Sequence, residues 1–255
     1  MTMVRDVRAQ AIAGFVALAF LVMFGFVGRI PQNPAFHEFC DTRSFIGIPN
    51  ALNVLSNLAF LVVGALGLSW LYHRPHSIDW QLAPAYAVFF AGLVATAFGS
   101  GYYHWAPNNE ALFWDRLPIA VAFMALFATV LAERISLVLT RAWIPLTFMG
   151  AASVVLWQLT DDLRLYGLVQ FLPIVLIPVM LCLFPARWTG GWHLMAAIGA
   201  YMIGKLFEDG DQRLFALLGQ TVSGHTSKHL IAAFGAWLVY RMLTQRERIA
   251  PASQI

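Results

Sequence analysis

Apolar runs of about twenty residues, the length of helix needed to cross a hydrocarbon core, recur along almost the whole chain and leave room for little else. No water is available inside a bilayer to satisfy backbone N–H and C=O groups, so such runs must close their hydrogen bonds internally, as helices. Bounded by charge, Pro and Gly, the runs predict helices over Ala11–Val27, Ala51–Tyr72, Leu82–His104, Leu112–Ala132, Trp143–Leu159, Gly167–Phe184, Trp192–Phe207 and His225–Leu243. Only 11% of the 255 residues are charged and 60% are hydrophobic, against roughly 25% charged in a soluble domain. The expectation is an all-α, polytopic membrane helix bundle, a single integral membrane domain over residues 1–255 with no internal repeat.

A net charge of +3 invites a nucleic-acid reading, but the basic residues are scattered through short loops. With the amino terminus inside, the inner loops and tails hold Arg5, Arg8, Arg74, Arg134, Arg141, Arg187, Arg241, Arg246 and Arg248, and the outer loops only Arg29, Arg43, Arg164 and Arg213. That asymmetry follows the positive-inside rule and predicts cytoplasmic termini. The first run could be a signal sequence, since Arg5 and Arg8 precede it, but no small-x-small cleavage site follows, and a retained span is expected. Cys40 falls in a loop and Cys182 within a span on the other side, so no disulfide is expected.

Under this topology, polar residues that a bilayer should exclude converge on one side. The third span ends outward in Gly99-Ser100-Gly101-Tyr102-Tyr103-His104, the fourth begins near Trp114-Asp115-Arg116-Leu117-Pro118, and the eighth begins Gly224-His225-Thr226-Ser227-Lys228-His229. His225 and His229 lie four apart and share one helical face, the separation at which two imidazoles can grip one ion. Ser100 and His104 repeat the spacing. Three neutral imidazoles with an open fourth position form a catalytic zinc arrangement. Zinc-protease helices carry glutamate after the first histidine, whereas here that place holds Thr226. The base must come from another helix, and Asp115 is the candidate. Ser100 is placed to hydrogen-bond the zinc-bound water or a developing oxyanion.

A lone histidine at a helix end is usually an interfacial residue, which is the reading for His37, His73, His76 and His193. A pair on one face inside an apolar segment is harder to explain by packing. Lys205, Glu208, Asp209 and Asp211 read mostly as a solvated rim, except that Lys205 and Glu208, three apart, can pair inside the bundle.

At these residues the chain resembles the alkaline ceramidase family, within the superfamily that also holds adiponectin-receptor-like membrane proteins. The resemblance covers about Glu38 to Arg241 and rests on Ser100-x-x-x-His104, Asp115 followed by Leu117-Pro118, His225-x-x-x-His229, and Asn53-Val54-Leu55-Ser56-Asn57. It implies a seven-helix hydrolase core over 38–245, with residues 1–30 as an additional amino-terminal helix. It further implies zinc on His104, His225 and His229, water poised by Asp115, and hydrolysis of the amide of ceramide or a similar lipid. The family commonly has an acidic residue after its catalytic Asp, where this chain has Arg116, which could alter head-group preference or pair with Glu208 or Asp209. Family members also carry calcium before the first core helix. Glu38, Asp41 and Asn50 stand at similar positions, although Arg43 and Ser44 fall where a further oxygen ligand is wanted, and an ordinary polar loop is the alternative.

Two other functions compete. An intramembrane serine protease would use Ser100, but Phe98 stands where that fold has Gly, and three histidines go unexplained. A receptor of the adiponectin-receptor type would be expected to have a sizeable soluble amino-terminal region, and about ten residues precede the first span. The expected partners are therefore a lipid substrate and the membrane, with no nucleic acid and no obligatory protein partner. The expected location is a bacterial inner membrane, with the metal site toward the periplasm.

Overall fold

The computed structural model describes residues 6–73 and 76–250. Arg5 and Arg74, two of the basic residues assigned above to the inner side, lie outside the described residues. The fold is all-α: α1 (Val7–Gly25), α2 (Ala51–Leu55), α3 (Leu58–Tyr72), α4 (Ala83–Trp105), α5 (Asn109–Arg134), α6 (Trp143–Thr160), α7 (Arg164–Leu183), α8 (Trp192–Asp209), α9 (Asp211–Leu217) and α10 (Gly224–Gln245). Each predicted run has its helix. Short α9 was not foreseen, because seven residues after Gly210 carry too little periodicity to announce a helix.

Among the described residues, six segments are long and apolar enough to cross a membrane: α1, α2 with α3, α4 with its 3-10 lead-in, α5, α6 and α7. The other two long helices, α8 and α10, are less apolar because they carry Lys205, Glu208 and Asp209, and His225, Lys228 and His229. They pack closely on each other, and all of these polar residues except the exposed Asp209 line an interior cavity. An ionisable group within such a bundle is tolerated when it faces the interior.

The helices alternate in direction, α4 packing between α3 and α5, and α5 against α6. The carboxyl ends of α4 and α8 therefore gather with the amino ends of α2, α5 and α10. At the opposite end Arg246 makes a two-pronged ion pair with Glu133, 2.9 and 3.0 Å, while the Tyr86 hydroxyl donates to Glu133 at 2.9 Å. This tie joins the end of α10 to α4 and α5. Helix α1 leans on α7, running antiparallel to it: Arg8 donates to the Leu183 carbonyl at one end, and Arg164 donates to the Val27 carbonyl at the other. Only Ile12 of α1 is buried, consistent with an accessory position outside the bundle.

One contact sets the approach of α4 to α5. Pro118 has no N–H, so the Trp114 carbonyl four residues earlier loses its intrahelical donor. Gly99 packs directly over that oxygen, and a Cβ at position 99 would overlap it. Ser100 and Asp115 are thereby brought to neighbouring positions. Gly224 has the same role against the Phe207 carbonyl, seating the start of α10 on the end of α8.

Replacing Gly99 with Leu should force α4 from α5 and lower the thermal midpoint of the detergent-solubilised protein. Glu133→Ala, which strands the buried Arg246 guanidinium, should cost about 3–5 kcal/mol, the scale for breaking one half of a buried pair. Thermal unfolding of both variants beside the wild type measures each effect.

Candidate metal centre

His104 comes from the last turn of α4, and His225 and His229 from the first two turns of α10. Their rings form a near-equilateral triangle with centroids 4.8, 4.8 and 4.9 Å apart. All three are buried, at 1%, 5% and 4% exposure respectively. One ligand nitrogen from each falls within 4.8 Å of the others, so the group could hold a metal ion.

The His104 Nε2 to His225 Nε2 distance is 3.3 Å. Two nitrogens bound tetrahedrally to one zinc, at about 2.0–2.1 Å each, stand roughly 3.3 Å apart. A single N–H···N bond can serve one pair of rings but not three converging lone pairs. Buried His104 Nδ1 has no hydrogen-bond partner among the described residues.

The hydrogen-bond network sets the tautomer of His229. The Ser56 hydroxyl donates to the Asn53 carbonyl at 3.1 Å, so its oxygen accepts from His229 Nδ1–H at 2.8 Å. That leaves the His229 Nε2 lone pair free to face the centre. Fixing a ligand ring through its outer nitrogen is the usual support for a metal-binding histidine.

Thr226, at the position a protease glutamate would occupy, donates to Asn53 Oδ1 at 2.7 Å and ties α10 to α2. Ser223 caps α10 by accepting from Thr226 N–H at 3.0 Å. Asp211 on α9 accepts the His225 backbone N–H at 2.7 Å and the Cys40 N–H at 3.3 Å, joining α10 to the loop before α2. From that loop Phe39 lies over the centre, 4.7 Å from both the His104 and His225 rings.

Beside the triangle, Glu208 accepts from both Lys205 and Lys228, the latter at 2.7 Å. The predicted pairing of Lys205 with Glu208 is present, and Lys228 is a second partner. Lys228 Nζ also lies 3.1 Å from His225 Nε2. A metal bound through that nitrogen would displace the ammonium and leave it held by Glu208.

These groups occupy the polar end of an elongated cavity of about 240 Å³. Its α10 wall runs from His225 to Val239 and its α4 wall from Phe89 to Tyr103, about 20 Å along the helix axes at 1.5 Å rise per residue. Ser100 and Asp115 line the polar end side by side, and Leu126, Ile177 and Leu194 the apolar end.

Arg116 does not pair with Glu208 or Asp209. Its guanidinium sits over the rings of Trp157, Tyr166 and Phe36, at 4.3, 4.9 and 5.3 Å. Of the candidate calcium residues, Glu38 is exposed, while Asp41 and Asn50 are engaged locally. Both Asp41 oxygens accept from Arg43, at 2.8 and 2.7 Å, and this partner holds the Asp41 carboxyl below the usual carboxylate range. The Asn50 amide donates to the His104 carbonyl at 2.8 Å. His37 is satisfied by the Tyr103 hydroxyl and Asn109, both at 3.0 Å, and His193 by the Gly190 carbonyl at 2.9 Å. Cys40 and Cys182 are free thiols.

No protein-family model matches the chain, and no curated protein matches it. The local geometry therefore carries the functional argument.

His225→Ala and His229→Ala should each lower bound metal, measured by elemental analysis of the purified protein. Ser56→Ala should keep the fold but weaken metal affinity about 10- to 100-fold, the usual effect of losing an outer hydrogen bond to a ligand. Competition with a chromogenic chelator reads that change.

Proposed function

We propose that this protein is a zinc-dependent intramembrane amidase of the alkaline ceramidase type. It would hydrolyse the N-acyl amide of ceramide or a similar lipid to a fatty acid and an amine. The observation that carries the reading is the meeting of His104, His225 and His229, two of which line the polar end of a cavity whose far end is lined by apolar side chains such as Leu126, Ile177 and Leu194. An amphiphile with one long chain has that shape and polarity. The seven-helix core behind α1, with α8 and α10 also crossing the membrane, belongs to the same proposal. So does a bacterial inner membrane location, with the metal end toward the periplasm.

The three histidines would hold zinc, which when bound lowers the pKa of a coordinated water toward about 7 and polarises a carbonyl. Asp115, lining the same end, accepts a proton from the attacking water and returns it to the departing amine nitrogen. The water oxygen joins the acyl carbon as the C–N bond breaks, so one carboxyl group and one free amine result. Ser100, beside Asp115, offers its hydroxyl toward the oxygen that gains charge. The apolar walls from Phe89 to Val239 hold the acyl chain and fix the amide at the polar end. Phe39, over the rings, limits entry of bulk water.

Asp115→Asn should leave zinc bound but reduce turnover of an N-acyl sphingoid lipid by about 100-fold or more, the scale for a lost acid–base group. Fatty-acid release measured by mass spectrometry beside metal content tests this. Wild-type protein with zinc bound and no release from any N-acyl lipid would instead favour a receptor of the adiponectin-receptor type.

A further inference from the structure

Charge is unevenly balanced at the polar end of the cavity. Arg116, Lys205 and Lys228 line it together with Asp115 and Glu208, three cations against two carboxylates. Glu208 is shared by the two lysines. None of the ion pairs among the described residues includes Arg116. It is 6% exposed, and its Nη1 is buried without a hydrogen-bond partner.

Burying a guanidinium without an anion is costly. The rings of Trp157, Tyr166 and Phe36 offset part of that cost through the faces of the cation. Stacking leaves the N–H bonds, which lie in the guanidinium plane, without acceptors. Five donors in a planar fork match the oxygens of a carboxylate or phosphate, two bonds at a time. A sphingoid amine offers no such group. The aromatic walls also hold the fork rigid, so little side-chain freedom would be lost on binding.

We infer that Arg116 receives an oxyanion on the amine part of the substrate, so that the preferred amide is an acyl chain joined to an amine bearing a carboxylate or a phosphate. The inference rests on the amidase reading and, within its range of ceramide or a similar lipid, moves the preferred substrate from neutral ceramide to anionic N-acyl amines. Hydrolysis is balanced as before: water adds across the C–N bond, and the leaving amine keeps its oxyanion on Arg116.

The test uses full-length, metal-replete protein in detergent micelles. Turnover of N-dodecanoylglycine and of N-dodecanoyl phosphoethanolamine is compared with that of neutral N-dodecanoylethanolamine. At least one anionic amide should exceed the neutral one in kcat/KM by roughly 10- to 100-fold, the scale of hydrogen bonds to a charged group, and which one does so identifies the oxyanion. Arg116→Met should remove that preference by lowering the anionic rate alone. Arg116→Lys, which keeps the charge and loses the fork, should fall between. Equal rates in the wild type, or equal losses on both substrate classes in Arg116→Met, would overturn the inference.

Absence of turnover on every amide would count against the amidase reading, and a binding measurement then decides on Arg116 separately. Calorimetry with the uncleaved N-dodecanoylglycine and N-dodecanoylethanolamine should give a wild-type preference for the anion that Arg116→Met removes, at equal metal content and with the affinity for the neutral amide unchanged within about threefold. A preference that survives in Arg116→Met would assign anion binding to the lysines or the metal and refute the proposal.

Discussion

Three buried imidazoles whose facing nitrogens lie within 4.8 Å of one another are the constraint on which this structure turns. A buried ring nitrogen without a partner is costly, and one protonated ring beside two others would bring charge into a low-dielectric interior. A shared cation would resolve the second problem and would give the lone pairs that converge on the centre a common partner. The surroundings are arranged to keep those lone pairs available. Ser56 takes the proton-bearing nitrogen of His229, Asp211 holds the backbone at His225, and Asn50 holds the backbone at His104.

Helix packing positions this arrangement. The proline-freed carbonyl of Trp114 and Gly99 let α4 and α5 approach at the depth of Ser100 and Asp115, and Gly224 lets α10 start against the end of α8. The buried Arg246–Glu133 pair secures the far ends of the same helices. Between the two ends a long cavity remains, lined mostly by apolar side chains with Gln170 and Tyr201 among them. The bundle is tied at both ends and open along its centre.

Charge is managed by two different means in one small volume. Lys205 and Lys228 share the single carboxylate of Glu208, a direct ion pairing. Arg116 is held by aromatic faces, which accept a cation without using its donors. The difference matters chemically, because the charge of Glu208 is already shared by two lysines, while Arg116 has no carboxylate partner among the described residues and its Nη1 donors are unused.

Helix positions were legible in the sequence because apolar runs must be helical in a bilayer, and their ends are marked by charge, Pro and Gly. The metal candidates were legible for a related reason: the four-residue spacing of His225 and His229 survives any packing, and alternating helix direction puts His104 at the same level. Partner choice was not legible. The partnership of Lys228 with Glu208, the aromatic cage of Arg116 and the service of Ser56 to His229 depend on which helix faces meet, and the apolar pattern that would report such faces is weak where nearly every residue is apolar. The sequence alone determined which groups are available and at what depth; only the tertiary structure decided which of them touch, because contact depends on rotations and close approaches between helices that linear spacing does not specify.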